Sequence, residues 1–242
     1  MNSPRAPVVL VHGAANSSGV WKFWRERLQG RGYRTLAPDL RGHGQAPCPD
    51  LARVGMADYV EDIAGATVSL STAPIVLGWS MGGLAALMYG LTHPVAAVIA
   101  LGPSTPGPLL ASPSTAPLAP SVFGPEVYGI TDRRALTQPT MPDLDEEEVA
   151  VALASVGPES SLARQERQRG IFMDPQHMRG RVLIVAGERD DVIAPSACAR
   201  TARFFGGDYL ECPLASHWGL VLNRRALDTM VPDVLRWLDA PA

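Results

Sequence analysis

Short apolar runs rich in β-branched residues alternate with segments of helical periodicity along most of this chain, and this alternation constrains its fold most strongly. The runs are Val8–Val11, Thr35–Ala37, Pro74–Leu77, Val95–Leu101, Val182–Ala186 and Tyr209–Leu210. Because most of these strands are apolar at every position, both of their faces must be buried, as in a parallel sheet covered by helices on both sides. The sequence therefore predicts an α/β fold with a mostly parallel sheet of about six strands.

The predicted helices lie between these strands. Their apolar residues recur at helical spacing from Trp21 to Leu28, from Met56 to Leu70, from Met81 to Tyr89 and from Arg225 to Leu238. Pro232 falls inside the last of these segments and predicts a kink or a break there, because proline has no N–H to donate.

The alternation stops between Gly102 and Gly180, where seven prolines crowd the stretch from Pro103 to Pro125. Helical patterns then return at Leu144–Ala154 and Ser160–Gln168. A structureless loop of this length is rare in a compact domain. We expect residues 1–102 and 181–242 to form the core and residues 103–180 to form a helical cap over the carboxyl edge of the sheet; a disordered linker is the alternative.

Acidic residues run from Asp143 to Glu148, at the start of the first predicted cap helix. Carboxylates in a first helical turn oppose the positive end of the helix dipole. The run therefore predicts a helix start rather than a binding site for a basic partner.

Composition narrows the function classes. The net charge is −3, with 46% hydrophobic and 19% charged residues, which indicates a globular protein and gives no reason to expect nucleic acid as a partner. The three cysteines Cys48, Cys198 and Cys212 are too scattered for a zinc site, and their odd number fits a reducing compartment. We expect no metal and no cofactor.

The apolar run that precedes His12 is too short for a signal-peptide core or a membrane span. The sequence thus predicts a cytoplasmic protein without a membrane span. Its oligomeric state stays open.

A single serine is flanked by small residues where a strand should meet a helix, in the segment Gly78-Trp79-Ser80-Met81-Gly82. A serine on so tight a turn projects its hydroxyl clear of the backbone, at the cost of unfavourable dihedral angles. Strand and helix backbones nearly touch at this turn, so small residues are needed two positions before and after the serine. The pattern predicts a nucleophile at Ser80.

At this segment the chain resembles the α/β-hydrolase superfamily, and the likeness spans nearly its whole length. Further segments resemble the family's motifs in the same order: His12-Gly13, Asp39–Gly44, Gly187–Asp190 followed by Pro195, and Ser216–Gly219. In having only a short stretch before its first strand, the chain is similar to plant-type esterases and hydroxynitrile lyases. The resemblance implies an α/β-hydrolase fold and a Ser-His-acid triad.

The resemblance assigns His217 as the general base and Asp190 as the acid that orients its imidazole. Asp191 competes for the acid role, because the usual spacing counted back from Pro195 favours it. The backbone N–H groups of Met81 and, by resemblance, Ala14 are the expected oxyanion donors that contact the substrate.

The predicted function is hydrolysis of a carboxylic ester through an acyl-enzyme, by a serine hydrolase acting on a small-molecule ester. The expected substrates are small to medium acyl or aryl esters or lactones, because the cap contains apolar residues such as Leu109, Phe123 and Phe172. Alternatives on the same scaffold are a hydroxynitrile-lyase-type C–C lyase, a cofactor-free perhydrolase and a slow ligand receptor. The lyase chemistry implies a lysine after the histidine, where this chain has Trp218.

Several residues near these motifs admit a purely structural interpretation. His12 and His43 are expected to make structural hydrogen bonds within their turns. Trp79 and Trp218 either line the acyl pocket or pack beside it.

Overall fold

The computed structural model describes residues 5–128, 130 and 141–241 of the chain. Residues 1–4 and 242 lie outside this description, as do residues 129 and 131–140 of the predicted cap.

Six strands form the main sheet: β1 Val8–Val11, β2 Thr35–Leu36, β3 Ile75–Trp79, β4 Ala97–Leu101, β7 Arg181–Gly187 and β8 Asp208–Cys212. The sheet is parallel, and its strand order is β2-β1-β3-β4-β7-β8. Neighbouring strands pair in parallel throughout, for example Leu10 with Leu77 and Ile99 with Leu183. The predicted fold class, strand number and strand direction are confirmed.

Successive residues of each strand enter opposite cores, as the pleat of a strand requires. One core contains Val8, Leu10, Ile75, Leu77, Ile99 and Leu183, and the other contains Val9, Val11, Val76, Val98 and Ile184. The apolar character of these strands therefore follows from burial on both faces.

Helices cover both faces of the sheet. The first core is closed by α1 Lys22–Gly30, α7 Gly219–Leu222 and α8 Arg224–Asp239, and the second by α2 Met56–Thr67, α3 Met81–Thr92 and α6 Pro195–Phe204. Of the kink or break predicted at Pro232, the break does not occur, because α8 continues through this residue. Buried Met230, Val231, Val234 and Leu235 pack on the core to either side of it, and this packing holds the helix together.

The segment between β4 and β7 contains two helices, α4 Glu146–Ser155 and α5 Ser161–Arg169. It also contains a short antiparallel pair that the sequence did not indicate, β5 Val122–Phe123 with β6 Glu159–Ser160. The proline-rich stretch lies along α5, since Ser114 N–H donates to the Gln168 carbonyl and Gly107 N–H to that of Ile171.

The acidic run begins α4, as predicted. The Asp145 side chain accepts from the Glu148 N–H at 2.9 Å, and Glu148 in turn accepts from the Asp145 N–H at 2.8 Å. Glu147 and Glu148 also pair with Arg224 at the start of α8. The run thus links the inserted segment to the core as well as capping a helix.

Among the described residues, no helix combines the length and apolarity needed to cross a bilayer.

Candidate active site

The turn between β3 and α3 carries Ser80 in a conformation that side chains rarely adopt. Its φ is 57° and its ψ is −118°, which is the strained geometry expected of a serine presented at a strand-to-helix turn. The Ser80 N–H donates to the Leu101 carbonyl at 2.9 Å, and its carbonyl accepts from the Ser104 N–H at 3.0 Å. The neighbouring strand β4 and the loop after it therefore fix the turn.

The glycines around Ser80 are needed for close backbone approach. A Cβ on Gly78 would overlap the carbonyl of Gly82, and a Cβ on Gly82 would overlap the carbonyls of Val11 and His12. The turn can be this tight only because both positions lack a side chain.

His217 and Asp190 lie at the carboxyl ends of β8 and β7, which are adjacent strands. The imidazole Nδ1 is 2.7 Å from Asp190 Oδ2, and both residues are buried. The other carboxylate oxygen accepts from the N–H groups of Val192 at 2.9 Å and Ile193 at 2.7 Å. Both oxygens of Asp190 are therefore held, one by backbone and one by the histidine ring.

Asp191, the competing candidate, is exposed. Asp190 thus occupies the position that orients the ring, and it is the candidate acid that the geometry favours.

The histidine loop contacts the serine turn through Trp79. The indole Nε1–H donates to the His217 carbonyl at 3.0 Å, and the indole and imidazole centroids are 5.2 Å apart. Trp218 packs edge-on against the same indole, with centroids 4.8 Å apart. Both tryptophans are buried. Because Trp79 directly precedes Ser80, these contacts hold the histidine loop against the serine turn.

The loop after β1 lies against the same turn. A Cβ on Gly13 would come within 3.3 Å of Ser80 Cβ. In the described part of the chain, neither the Ala14 N–H nor the Met81 N–H donates to another protein group. Met81 is the first residue of α3, whose leading N–H groups have no partner within the helix. Met81 follows Ser80 directly, and Ala14 follows Gly13, so both predicted oxyanion donors belong to segments that pack at the serine turn.

His12 makes the structural contacts predicted for it. Its Nδ1 is 2.9 Å from the Gly13 carbonyl, and its Nε2 accepts from the Leu40 N–H at 3.1 Å. A ring with one donor and one acceptor nitrogen is neutral. Burial and the nearby His43 accordingly lower the pKa of His12 to about 4.

His43 and Glu159 form a buried pair that the sequence did not reveal. His43 Nδ1 is 3.1 Å from the Arg41 carbonyl, and its Nε2 is 3.4 Å from Glu159 Oε2, an ion-pair distance rather than a well-aligned hydrogen bond. Burial alone would lower the pKa of His43 and raise that of Glu159. Their mutual attraction outweighs burial, so it raises the pKa of His43 and lowers that of Glu159 to about 2.

Phe172, one of the apolar cap residues on which the expected substrates rest, is 82% exposed beyond the end of α5 and adds no buried surface to a substrate pocket. From the same helix, Arg167 reaches inward and donates to Ser104 Oγ at 3.2 Å. The Ser104 N–H also donates to the Ser80 carbonyl, so Ser104 links the Arg167 guanidinium to the serine turn.

A cavity of about 950 Å³ is lined by the start of α4, the end of β8 and the start of α8, and not by Ser80, Asp190 or His217. It is a surface recess and not the candidate site. Among the described residues, no cluster of three or more His, Cys, Asp or Glu side chains could hold a metal ion.

In α/β hydrolases, a strained serine lies where a central strand meets a helix, and a histidine and a carboxylate complete the site. A sequence model of the alpha/beta hydrolase family matches residues 8–229. The chain therefore belongs to the alpha/beta hydrolase family.

Two curated relatives are similar over part of the chain. A pyrethroid hydrolase of Sphingobium wenxiniae is 30% identical over 168 residues, which are 69% of this chain and 54% of that protein. A monoacylglycerol lipase of Mycolicibacterium smegmatis is 34% identical over 108 residues, which are 42% of this chain and 39% of the lipase. The chain thus matches about half or less of the length of these relatives.

A solved structure of a thermophilic esterase from Thermogutta terrifontis superposes with a TM-score of 0.72. The superposition covers 99% of this chain and 92% of that one, at 21% identity. This likeness supports the fold.

Proposed function

We propose that this chain hydrolyses carboxylic esters through a covalent acyl-enzyme on Ser80, with His217 as general base and Asp190 as the orienting acid. The observation that carries the proposal is the Asp190–His217 pair, tied by Trp79 to a serine held at positive φ. A serine hydroxyl is a weak nucleophile, and an oriented imidazole supplies the base that activates it.

In the proposed reaction, Ser80 Oγ attacks the ester carbonyl while His217 takes its proton. The N–H groups of Ala14 and Met81 stabilise the oxyanion of the tetrahedral intermediate. The intermediate collapses as His217 returns the proton to the leaving alcohol. Water then attacks the acyl-enzyme while His217 takes its proton, and the second intermediate collapses to the acid as the proton returns to Ser80. Asp190 stays ionised and stabilises the imidazolium.

Ester hydrolysis is favoured over C–C lyase chemistry by the residue after the histidine. Trp218 is buried against Trp79 and offers no cation at the position where the lyases resembled by this chain carry lysine. The hydrolase and lipase activities in the names of the two curated relatives support the same choice. We extend the proposal to small or medium acyl or aryl esters and lactones.

A fluorophosphonate probe followed by peptide mapping tests the proposal. We expect one label per chain, on Ser80, and turnover of short-chain nitrophenyl esters that labelling abolishes. Labelling without turnover would indicate a ligand receptor, and cleavage of cyanohydrins without ester hydrolysis would indicate a lyase. Either result contradicts the proposed function.

A further inference from the structure

Glu159 is a carboxylate that the proposed mechanism does not use, and its burial requires an explanation. Its side chain is 0% exposed, on strand β6 of the segment inserted between β4 and β7. An ionised carboxylate in a protein interior costs several kcal/mol unless it is fully hydrogen-bonded. The partners of Glu159 therefore indicate what it stabilises.

Three hydrogen-bond donors and the His43 imidazole converge on the two oxygens of this carboxylate. Oε1 accepts from the Tyr59 hydroxyl at 2.5 Å and from the Ser160 N–H at 2.7 Å. Oε2 accepts from the Ala15 N–H at 2.9 Å and faces His43 Nε2 at the ion-pair distance of 3.4 Å. Tyr59, Ala15 and His43 belong to the core, and Ala15 lies in the loop that carries the proposed oxyanion donor Ala14.

That loop is strained where Glu159 holds it. Ala15 has a φ of 53°, a conformation that an alanine adopts only when its surroundings impose it. The peptide unit between Ala14 and Ala15 is fixed at both ends, because Asn16 Nδ2 donates to the Ala14 carbonyl at 3.1 Å while Glu159 accepts from the Ala15 N–H.

The inserted segment supplies two more bonds to the same loop. The Gly157 N–H donates to the Ala15 carbonyl at 2.9 Å, and the Ser155 hydroxyl donates to Asn16 Oδ1 at 3.0 Å. Residues 155–160 of the insertion and residues 14–16 of the core therefore form one hydrogen-bonded unit.

We propose that Glu159 is a positioning residue, which holds the strained loop at Ala14–Asn16 so that the Ala14 N–H points at the developing oxyanion. This inference rests on the proposed function and goes beyond it, since it makes the inserted segment part of the catalytic apparatus rather than only a cover. Glu159 touches neither the substrate nor the reacting atoms; it acts through the backbone of Ala15.

The chemistry of the site explains why a carboxylate is required. A glutamine has one acceptor oxygen, and its NH₂ group would face the donors that Oε1 or Oε2 now accepts from. Because Glu159 is buried, at least one of the backbone N–H donors, that of Ala15 or of Ser160, would lose its partner. We expect the strained loop to yield first, because relaxing Ala15 also relieves its backbone strain.

The test compares Glu159→Gln with Glu166→Gln. Glu166 is a matched control, because it also lies in the inserted segment and accepts a core N–H, that of Met56 at 2.7 Å. The assay is steady-state hydrolysis of a short-chain nitrophenyl ester, together with inhibition by an alkyl boronic acid, which resembles the tetrahedral intermediate.

For Glu159→Gln, we expect kcat to fall about 100-fold, within the range for losing one oxyanion donor, while KM changes less than about threefold. The boronate inhibition constant should rise by a factor similar to that for kcat/KM. Glu166→Gln should keep kcat within about threefold of wild type, because its loss leaves the oxyanion loop untouched.

Thermal unfolding and circular dichroism establish whether each variant is folded. If Glu159→Gln does not fold, Asn16→Ala decides, because it releases the other end of the same peptide unit and should also lower kcat without raising KM. A folded variant with wild-type kcat, or one in which only KM rises, overturns the positioning role. Ester turnover that survives in Ser80→Ala would instead contradict the proposed function.

Discussion

Replacing Asp190 with asparagine should nearly abolish turnover, whereas the same change at Asp191 should leave it intact. The structure dictates how the new amide must lie. The N–H groups of Val192 and Ile193 bind Oδ1, so the amide oxygen of an asparagine takes that place and its NH₂ group faces His217.

An NH₂ group can only donate, so it selects the histidine tautomer whose Nδ1 is the acceptor and whose Nε2 carries the proton. That nitrogen can no longer take a proton from Ser80. In a triad of this kind the wrong tautomer costs about 10⁴-fold in kcat, which corresponds to about 5.4 kcal/mol of transition-state stabilisation. The fold should survive, since the backbone bonds of the loop are kept.

The assay is hydrolysis of a nitrophenyl ester by wild type, Asp190→Asn and Asp191→Asn at equal enzyme concentration. Asp191 is exposed, and its variant should stay within about twofold of wild type, as surface substitutions usually do. A loss confined to Asp191→Asn, or equal losses in both variants, would refute the assignment of the acid.

Three further outcomes follow from the contacts. Gly78→Ala should destabilise the fold by about 1–3 kcal/mol or more, because the new Cβ overlaps the start of α3. Gly65→Ala should stabilise the fold by about 0.5–1 kcal/mol, because its Cβ meets no other atom. Urea unfolding measures both changes. Trp79→Phe should cost about 1 kcal/mol of stability and lower kcat, because it removes the 3.0 Å bond to the histidine loop; unchanged values in both assays would contradict this role. The pKa of Glu159 is lowered to about 2 despite burial, because His43 attracts the carboxylate. The pKa of a glutamate in the unfolded chain is near 4.3. The excess free energy of unfolding of wild type over Glu159→Gln should therefore shrink as the pH falls from about 4.3 toward 2. If urea titrations show the same excess at every pH, they contradict the lowered pKa.

The sheet and the serine turn could be predicted because their signals are local. A strand buried on both faces must be apolar throughout, and a turn whose backbones touch must have glycine at Gly78 and Gly82. Both requirements concern residues that are close in sequence, so the succession of strands and helices along the chain and the position of Ser80 follow from the sequence.

The contacts of Glu159 could not be predicted, because they depend on how the inserted segment folds back onto the core. Its bond to Ala15 joins residues 144 positions apart, and no periodic pattern marks a charged residue for burial. The resemblance favoured Asp190 as the acid, but the spacing counted back from Pro195 kept Asp191 open. That choice depends on which carboxylate the loop after β7 turns inward, and the N–H groups of Val192 and Ile193 determine it.

The sequence predicted a kink or a break at Pro232, and α8 does not break there. Local propensity disfavours proline within a helix, but burial of residues on both sides of Pro232 outweighs the lost hydrogen bond. Tertiary packing thus overrides the local signal here.

Direct observation of the acyl-enzyme tests the central claim most sharply. Mixing the protein with a slowly hydrolysed nitrophenyl ester and quenching it in acid should give a burst of one nitrophenol per chain. Intact-mass and peptide analysis should then find the acyl group on the peptide that contains Ser80, and neither burst nor adduct should form in Ser80→Ala. An acyl group on another residue, or a burst that persists in Ser80→Ala, would contradict the account.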